Sequence, residues 1–195
     1  MDNQRRLVLA STSRYRKALL ERLGLPFEVA APQADEQALP GEPPAVTAAR
    51  LALLKASSLA QRFPDALIVG SDQVASCDGE QLGKPGGHAA AVHQLRRLSG
   101  KAADFHTAVA LLDCKSGEAQ SRVVPCRVVF RALDDGRIEA YLRREQPYDC
   151  AGSAKVEGLG IALIARIDTQ DPTSLIGLPL IALSEMLEHA GLRVL

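Results

Sequence analysis

Two short apolar runs, Leu7 to Ala10 and Ala66 to Gly70, do most to limit what this chain can become. Each is long enough for a buried strand and too short for a helix. Each gives way to polar residues, Ser11-Thr12-Ser13 after the first and Ser71-Asp72 after the second. The segments between them carry helical signals. Tyr15, Leu19, Leu20 and Leu23 fall on one face of a first helix that Gly24 stops, and the Ala- and Leu-rich stretch from Ala45 to Arg62 predicts a second. Phe27 to Ala30 reads as a further strand, followed by a Pro-rich loop, Pro32 to Pro44, that holds Asp35, Glu36 and Glu42 and no basic residue.

Downstream the pattern changes. Ser71 to Ser76 extends the strand to an Asp78-Gly79 turn, a hairpin signal that returns the chain to Leu82, and Gly83-Lys84-Pro85 then breaks it. A helix over Ala89 to Leu98 ends at Gly100. Phe105 to Leu112 and Arg122 to Arg131 predict an antiparallel hairpin, with Pro125 marking an edge or a bulge. A helix over Ile138 to Arg144, a Gly-rich loop from Gly152 to Gly160, a strand over Ile161 to Ile167 and a helix over Leu180 to Ala190 complete the reading. Early alternation followed by hairpins predicts a mixed α/β sheet rather than a purely parallel one. At ~100–200 residues per domain, residues 1–195 form one domain.

Charge narrows the function. Basic and acidic side chains balance at 23 each, so the surplus of Lys and Arg that a nucleic-acid or membrane-surface binder needs is missing. Aromatic residues make up 4%, too few for the stacking platforms of single-strand binders. Cys77, Cys114, Cys126 and Cys150 form no Cys-x-x-Cys pair, which leaves reduced thiols rather than a zinc site as the expectation. Arg5 and Arg6 precede only four apolar residues, short of the ~7–15 of a secretory core. Leu175 to Ser184 falls short of the ~20 residues that span a bilayer. A soluble cytoplasmic protein is expected.

Five constellations carry chemistry. Ser11 to Lys17 gathers hydroxyls, backbone N–H groups and cations where a strand hands over to a helix, the arrangement that holds phosphates; a plain Ser cap with a solvated basic face competes. Gly70-Ser71-Asp72-Gln73 ends an apolar strand in a carboxylate, where a general base or metal ligand is useful and where a hydrogen-bonded turn Asp is the alternative. Glu36, in a stretch (28–42) of net charge −4, could share a hard cation such as Mg²⁺ with Asp72, or belong to a solvated acidic loop. Lys84, fixed between Gly83 and Pro85, suits a phosphate, whereas Lys55 alone reads as a solvated surface lysine. The loop Cys150 to Gly160 has the glycines for close backbone approach to a ligand and could present Glu157 to a base edge; a plain turn competes. Cys150 itself reads as a small buried hydrophobe.

In this order the motifs resemble the Maf family of nucleoside triphosphate pyrophosphatases, from Leu7 to about Gly191. The residues that carry the likeness are Leu9-Ala10-Ser11-Thr12-Ser13 with Arg16, Asp35-Glu36, Arg50 to Lys55-Ala56, Gly70-Ser71-Asp72-Gln73, Gly83-Lys84-Pro85, Leu98-Ser99-Gly100, Gly152 to Gly160, and Asp171-Pro172 with Gly177-Leu178-Pro179. Gln73, and Cys150-Ala151-Gly152-Ser153 leading into Glu157-Gly158-Leu159-Gly160, bring the chain nearest the 7-methyl-GTP branch. Arg14 stands where relatives generally have Pro, and Tyr15 where that branch often has Trp. The resemblance implies an inosine-triphosphatase-like mixed sheet with flanking helices in two lobes around a cleft, commonly dimeric, using Mg²⁺ or Mn²⁺. It implies hydrolysis between the α and β phosphates, with Asp72 as the catalytic base and as a metal ligand beside Glu36. Ser11, Ser13, Tyr15, Arg16, Lys55, Gln73, Lys84 and Glu157 would bind substrate. The purpose implied is removal of modified nucleotides before they enter nucleic acids. The alternatives are a dTTP/UTP pyrophosphatase of the same family, or a non-catalytic nucleotide-binding regulator of cell division.

Overall fold

The structure, a computed structural model, describes residues 5–195. In chain order the elements are β1 (Leu7–Ala10), α1 (Arg14–Glu21), β2 (Glu28–Ala30), α2 (Pro44–Ser57), β3 (Leu67–Cys77), β4 (Glu80–Leu82), α3 (His88–Leu98), β5 (Ala102–Asp113), β6 (Ala119–Phe130), α4 (Asp135–Glu145), β7 (Ile164–Thr169) and α5 (Leu180–His189). Short 3₁₀ turns occupy Ala151–Ser153, Leu159–Leu163 and Ser174–Ile176. The strands follow the order β2-β1-β3-β5-β6-β7, with β4 on β3. β1 runs parallel to β2 and β3, while β3–β4 and β6–β7 are antiparallel, so the sheet is mixed as the sequence implies. Among the described residues no helix is long and apolar enough to cross a membrane.

The chain divides into two compact units. One comprises Met1–Gln73, Thr107–Val124 and Asp171–Leu195; the other comprises Val74–His106 and Pro125–Gln170. In the first, strand alternation sorts the core. Leu7 and Leu9 of β1 with Leu67 and Val69 of β3 pack against Leu19 and Leu20 of α1 and Leu183 and Leu187 of α5. Val8 and Ala10 with Ile68 face the other way, onto Ala56 of α2 and the adjoining Leu59 and Phe63. On that α2 face, Gly70 lets helix and strand approach closely: a Cβ there would clash with the Ala52 carbonyl oxygen and stand 2.9 Å from the Ala56 nitrogen.

Two element boundaries and the place of Pro125 depart from the sequence expectation in ways the structure explains. α2 ends at Ser57, not Arg62, because the Ser58 hydroxyl donates to the Lys55 carbonyl (2.8 Å) and accepts from the Gln33 N–H (3.2 Å), so side chain replaces helix bonding there. Residues 161–163 belong to a 3₁₀ turn and β7 starts at Ile164; the run Ile161 to Ile167 is apolar enough for either state. β6 is flanked by β5 and β7, so Pro125 is not on an edge strand. Its missing N–H costs no ladder bond to β7, because that pairing begins only at Cys126 opposite Thr169, and the register shift falls later, at Val129/Phe130.

Candidate functional site

Register builds the site. Ala10 pairs with both Ala30 and Gly70, so β1, β2 and the apolar part of β3 reach the same level. Whatever follows them therefore leaves from one edge: Ser11 to Ser13, the loop bearing Glu36, and Ser71-Asp72. That carboxyl edge is where open α/β sheets gather ligands.

Alternation then assigns the faces. Asp72 has the parity of Ile68 and Gly70, toward α2, and its Oδ1 lies 2.7 Å from the Lys55 Nζ of that helix. Lys55 is 4% exposed and Asp72 8%, so the solvated reading of this lysine is wrong. The same ammonium lies 2.7 Å from Glu36 Oε2, whose side chain is 56% exposed. One buried cation thus gathers two carboxylates from separate segments; buried Asp72 and exposed Glu36 together compensate the burial of Lys55.

Nor is the acidic loop simply solvated. Arg50 of α2 donates to both carboxylate oxygens of Glu42, at 2.7 and 2.8 Å, and to the Gln37 carbonyl at 3.0 Å. Thr47 Oγ1 donates to Glu42 at 2.9 Å. The Arg50 bonds hold the Glu42 carboxyl at about 2, far below its ordinary 4.5. A depressed carboxylate stabilises the fold above its unfolded value and loses that contribution as pH falls toward the folded one. Glu42→Gln should therefore lower the thermal midpoint at neutral pH, with the gap from wild type closing between pH 4.5 and about 2. A gap that does not change with pH would show that the charge of Glu42 is irrelevant.

Ser71 and Gln73 point oppositely to Asp72. Ser71 Oγ lies 2.7 Å from the Ala108 carbonyl oxygen and 2.9 Å from that of Gly177. The Gly177 carbonyl also accepts from Arg16 Nε at 2.9 Å. Burial lowers the Arg16 guanidinium from its ordinary value, opposed by the charges of Asp72 and Glu36. Thr107 Oγ1 donates to the Ser174 carbonyl (2.9 Å) and so accepts from Gln73 Nε2 (2.8 Å), which also lies 3.0 Å from the Ser174 carbonyl oxygen. This network fixes the amide orientation of Gln73. Thr107 and the Ser174 carbonyl thus hold the Gln73 side chain, and the Gly177 carbonyl lies against both Ser71 and Arg16; the Gly177-Leu178-Pro179 motif hinted at that carbonyl.

Ser13 caps α1, its Oγ accepting from Arg16 N–H at 3.4 Å, and buried Ser11 accepts from Ser13 N–H at 3.1 Å. Tyr15 is half-buried rather than in the core; its hydroxyl accepts from Arg14 Nη2 (2.7 Å), and the Arg14 guanidinium lies 4.8 Å from the ring centroid. This unit brings together Ser11, Ser13, Arg16, Glu36, Lys55, Asp72 and Gln73.

Lys84 and Glu157 belong to the second unit, and both are exposed. The backbone around Lys84 is pinned: the Gly83 carbonyl accepts from Gln94 Nε2 and Gly86 N–H donates to the Tyr148 carbonyl, both at 3.0 Å. Around Glu157 the glycines serve the chain's own packing. A Cβ on Gly158 would stand 2.6 Å from Glu145 Oε2, and one on Gly160 would stand 2.5 Å from the Lys155 carbonyl oxygen. Both glycines thus allow close packing within the chain itself. Cys150 is only half-buried, against its reading as a buried hydrophobe.

Among the described residues no three of His, Cys, Asp and Glu converge. The chain offers a cation two hard carboxylates, Glu36 and Asp72, already drawn to one positive charge. That donor set fits Mg²⁺ or Mn²⁺ with further oxygens from phosphate and water.

Residues 6–190 match the family model described as Maf-like protein. Three curated relatives carry the name 7-methyl-GTP pyrophosphatase. That of Thiobacillus denitrificans is 59% identical over 97% of this chain and 94% of its own, and that of Albidiferax ferrireducens 56% over 98% and 96%. That of Cupriavidus pinatubonensis is 58% identical over 95% and 94%. The solved Staphylococcus aureus Ham1 protein aligns over 65% of this chain and 72% of its own, with TM-score 0.47 and 14% identity, too slight a likeness to support anything more.

Proposed function

The chain belongs to the Maf-like protein family, and from that premise we propose that it hydrolyses 7-methyl-GTP to 7-methyl-GMP and pyrophosphate. The observation that carries the reading is the Lys55 ammonium holding the Asp72 and Glu36 carboxylates, at 2.7 Å each, at the carboxyl edge of the parallel strands. In this reading Arg16, Ser11 and Ser13 grip the phosphate chain at the start of α1, and Lys55, 2.7 Å from Asp72, holds that carboxylate in place. Asp72 accepts the proton of a water whose oxygen bonds to the α-phosphorus as the bridge to the β-phosphate breaks and pyrophosphate leaves. Glu36 and Asp72 would hold a divalent cation, which neutralises charge developing on the phosphate oxygens. The resemblance alone adds Lys84 as a phosphate ligand, a homodimer, and a cytoplasmic role in clearing modified nucleotides.

The test is product analysis with and without chelator. Metal-replete protein should give the monophosphate and pyrophosphate in equal amounts, and exhaustive chelation should stop it, because a triphosphate brings about four negative charges to two carboxylates. Orthophosphate as product, or a bound and uncleaved nucleotide, would contradict the proposal; the latter would mark a sensor. Undiminished activity after chelation would remove the metal.

Base preference follows from charge. Methylation at N7 makes guanine cationic, and an aromatic face contributes roughly 0.5–2 kcal/mol to holding such a ring. The resemblance gives that face to Tyr15, whose ring Arg14 covers here, and, as its own separate expectation, a balancing charge to Glu157. Tyr15→Ala and Glu157→Gln should each lower kcat/KM for 7-methyl-GTP more than for GTP. An unchanged ratio in both variants would refute the assignment.

A further inference from the structure

α4 presents Arg137, Ala140, Tyr141 and Arg144 at spacings of three, four and seven residues, along one side of the helix. That side lines a cavity of about 340 Å³ whose apolar wall comes from Leu159, Ala162 and Leu163 of the 3₁₀ turn. Arg131, just beyond β6, supplies a third guanidinium, anchored by Nε donating to the Ile164 carbonyl at 2.9 Å. The Tyr141 hydroxyl accepts from Lys155 N–H at 2.9 Å, so its ring, not its polar end, serves as surface.

What sets the cavity apart is the fate of the nearby acids. Asp134 caps α4 by accepting from Arg137 N–H, Asp135 pairs with Arg96, Glu139 with His88 and Arg143, and Glu145 with Lys155. Asp134 thus bonds the backbone of Arg137 itself, Asp135, Glu139 and Glu145 pair outside the cavity lining, and the charge of Glu157 in the neighbouring loop also acts on Tyr141. Among the described residues Arg131, Arg137 and Arg144 form no ion pair, and all three line one largely apolar hollow. Its volume lies at the small end of the ~300–1,000 Å³ of small-molecule sites, which suits a compact ligand rather than a polypeptide. Guanidinium forks match phosphate oxygens two at a time.

We propose that this cavity, built wholly within the second unit, is a second ligand site that takes a small phosphate ester with an aromatic or other apolar body. The arginines hold the phosphate, and Leu159, Ala162 and Leu163 receive the body. The reading stands apart from the pyrophosphatase proposal, since it uses none of the same residues.

Calorimetric titration of the full chain with phenyl phosphate and with inorganic phosphate tests it. Phenyl phosphate should bind the wild type at least ~10-fold more tightly than inorganic phosphate, and the double variant Arg137→Ala/Arg144→Ala should weaken it by ~10-fold or more. Ala140→Trp, at an exposed helix position, fills the hollow while keeping all three charges; it should weaken phenyl phosphate far more than inorganic phosphate. Retained turnover of 7-methyl-GTP would show that both variants are folded and that the lost binding is not at the catalytic residues. No binding by the wild type, equal affinity for the two probes, or unaltered affinity for phenyl phosphate in both variants would each overturn the site.

Discussion

Asp72→Asn is expected to lower kcat for 7-methyl-GTP by ~10²-fold or more, the usual scale for losing a positioned proton acceptor. The substitution keeps size and shape, and an Asn carbonyl can still accept from the Lys55 ammonium that now lies 2.7 Å from Asp72 Oδ1. Folding and KM should therefore change far less than kcat. What is lost is the negative charge, both as base and as half of the pair that Lys55 gathers. Steady-state kinetics on protein of confirmed thermal stability decide the matter. Near-normal turnover in a folded variant would remove Asp72 from the chemistry.

Gly70→Ala should be the most damaging single methyl group in the first unit. The added Cβ would meet backbone on two sides, the Ala52 carbonyl oxygen and the Ala56 nitrogen, and neither can swing aside as a long side chain would. Overpacking commonly costs 1–3 kcal/mol, and with rigid backbone as the obstacle we expect ~3 kcal/mol or more in urea denaturation. The same displacement would shift α2 away from β3 and draw Lys55 from Asp72, so kcat should fall with stability. A loss under about 1 kcal/mol with unchanged kcat would show that the close approach at Gly70 is dispensable.

Much of this arrangement is legible in the sequence itself. The runs Leu7–Ala10 and Ala66–Gly70 marked two strands, which pair in parallel, and reading where they end put Ser11 and Asp72 at the edge where open α/β sheets gather ligands. Lys55 was harder. Its residue type argues for water, and nothing local says that Gly70 will bring its helix down onto Asp72. Only tertiary contact turns a surface lysine into a buried counter-ion. The choice between the two readings of the acidic loop was out of reach for the same reason, since Arg50 and Glu42 meet only once α2 is formed. The end of α2 escaped because Ala, Leu and Arg are all good helix formers, while the Ser58 bonds that stop it depend on Gln33. Backbone groups such as the Ser174 carbonyl, which accepts from Thr107 and Gln73, leave no mark in a side-chain pattern.

The central claim, a pyrophosphatase that prefers 7-methyl-GTP, is tested most directly by measuring kcat/KM for pyrophosphate release from 7-methyl-GTP, GTP, dTTP and UTP side by side in the same divalent metal. The account predicts release from 7-methyl-GTP with the highest kcat/KM of the four, GTP below it. Higher values for dTTP or UTP, or no pyrophosphate from any of the four, would contradict it.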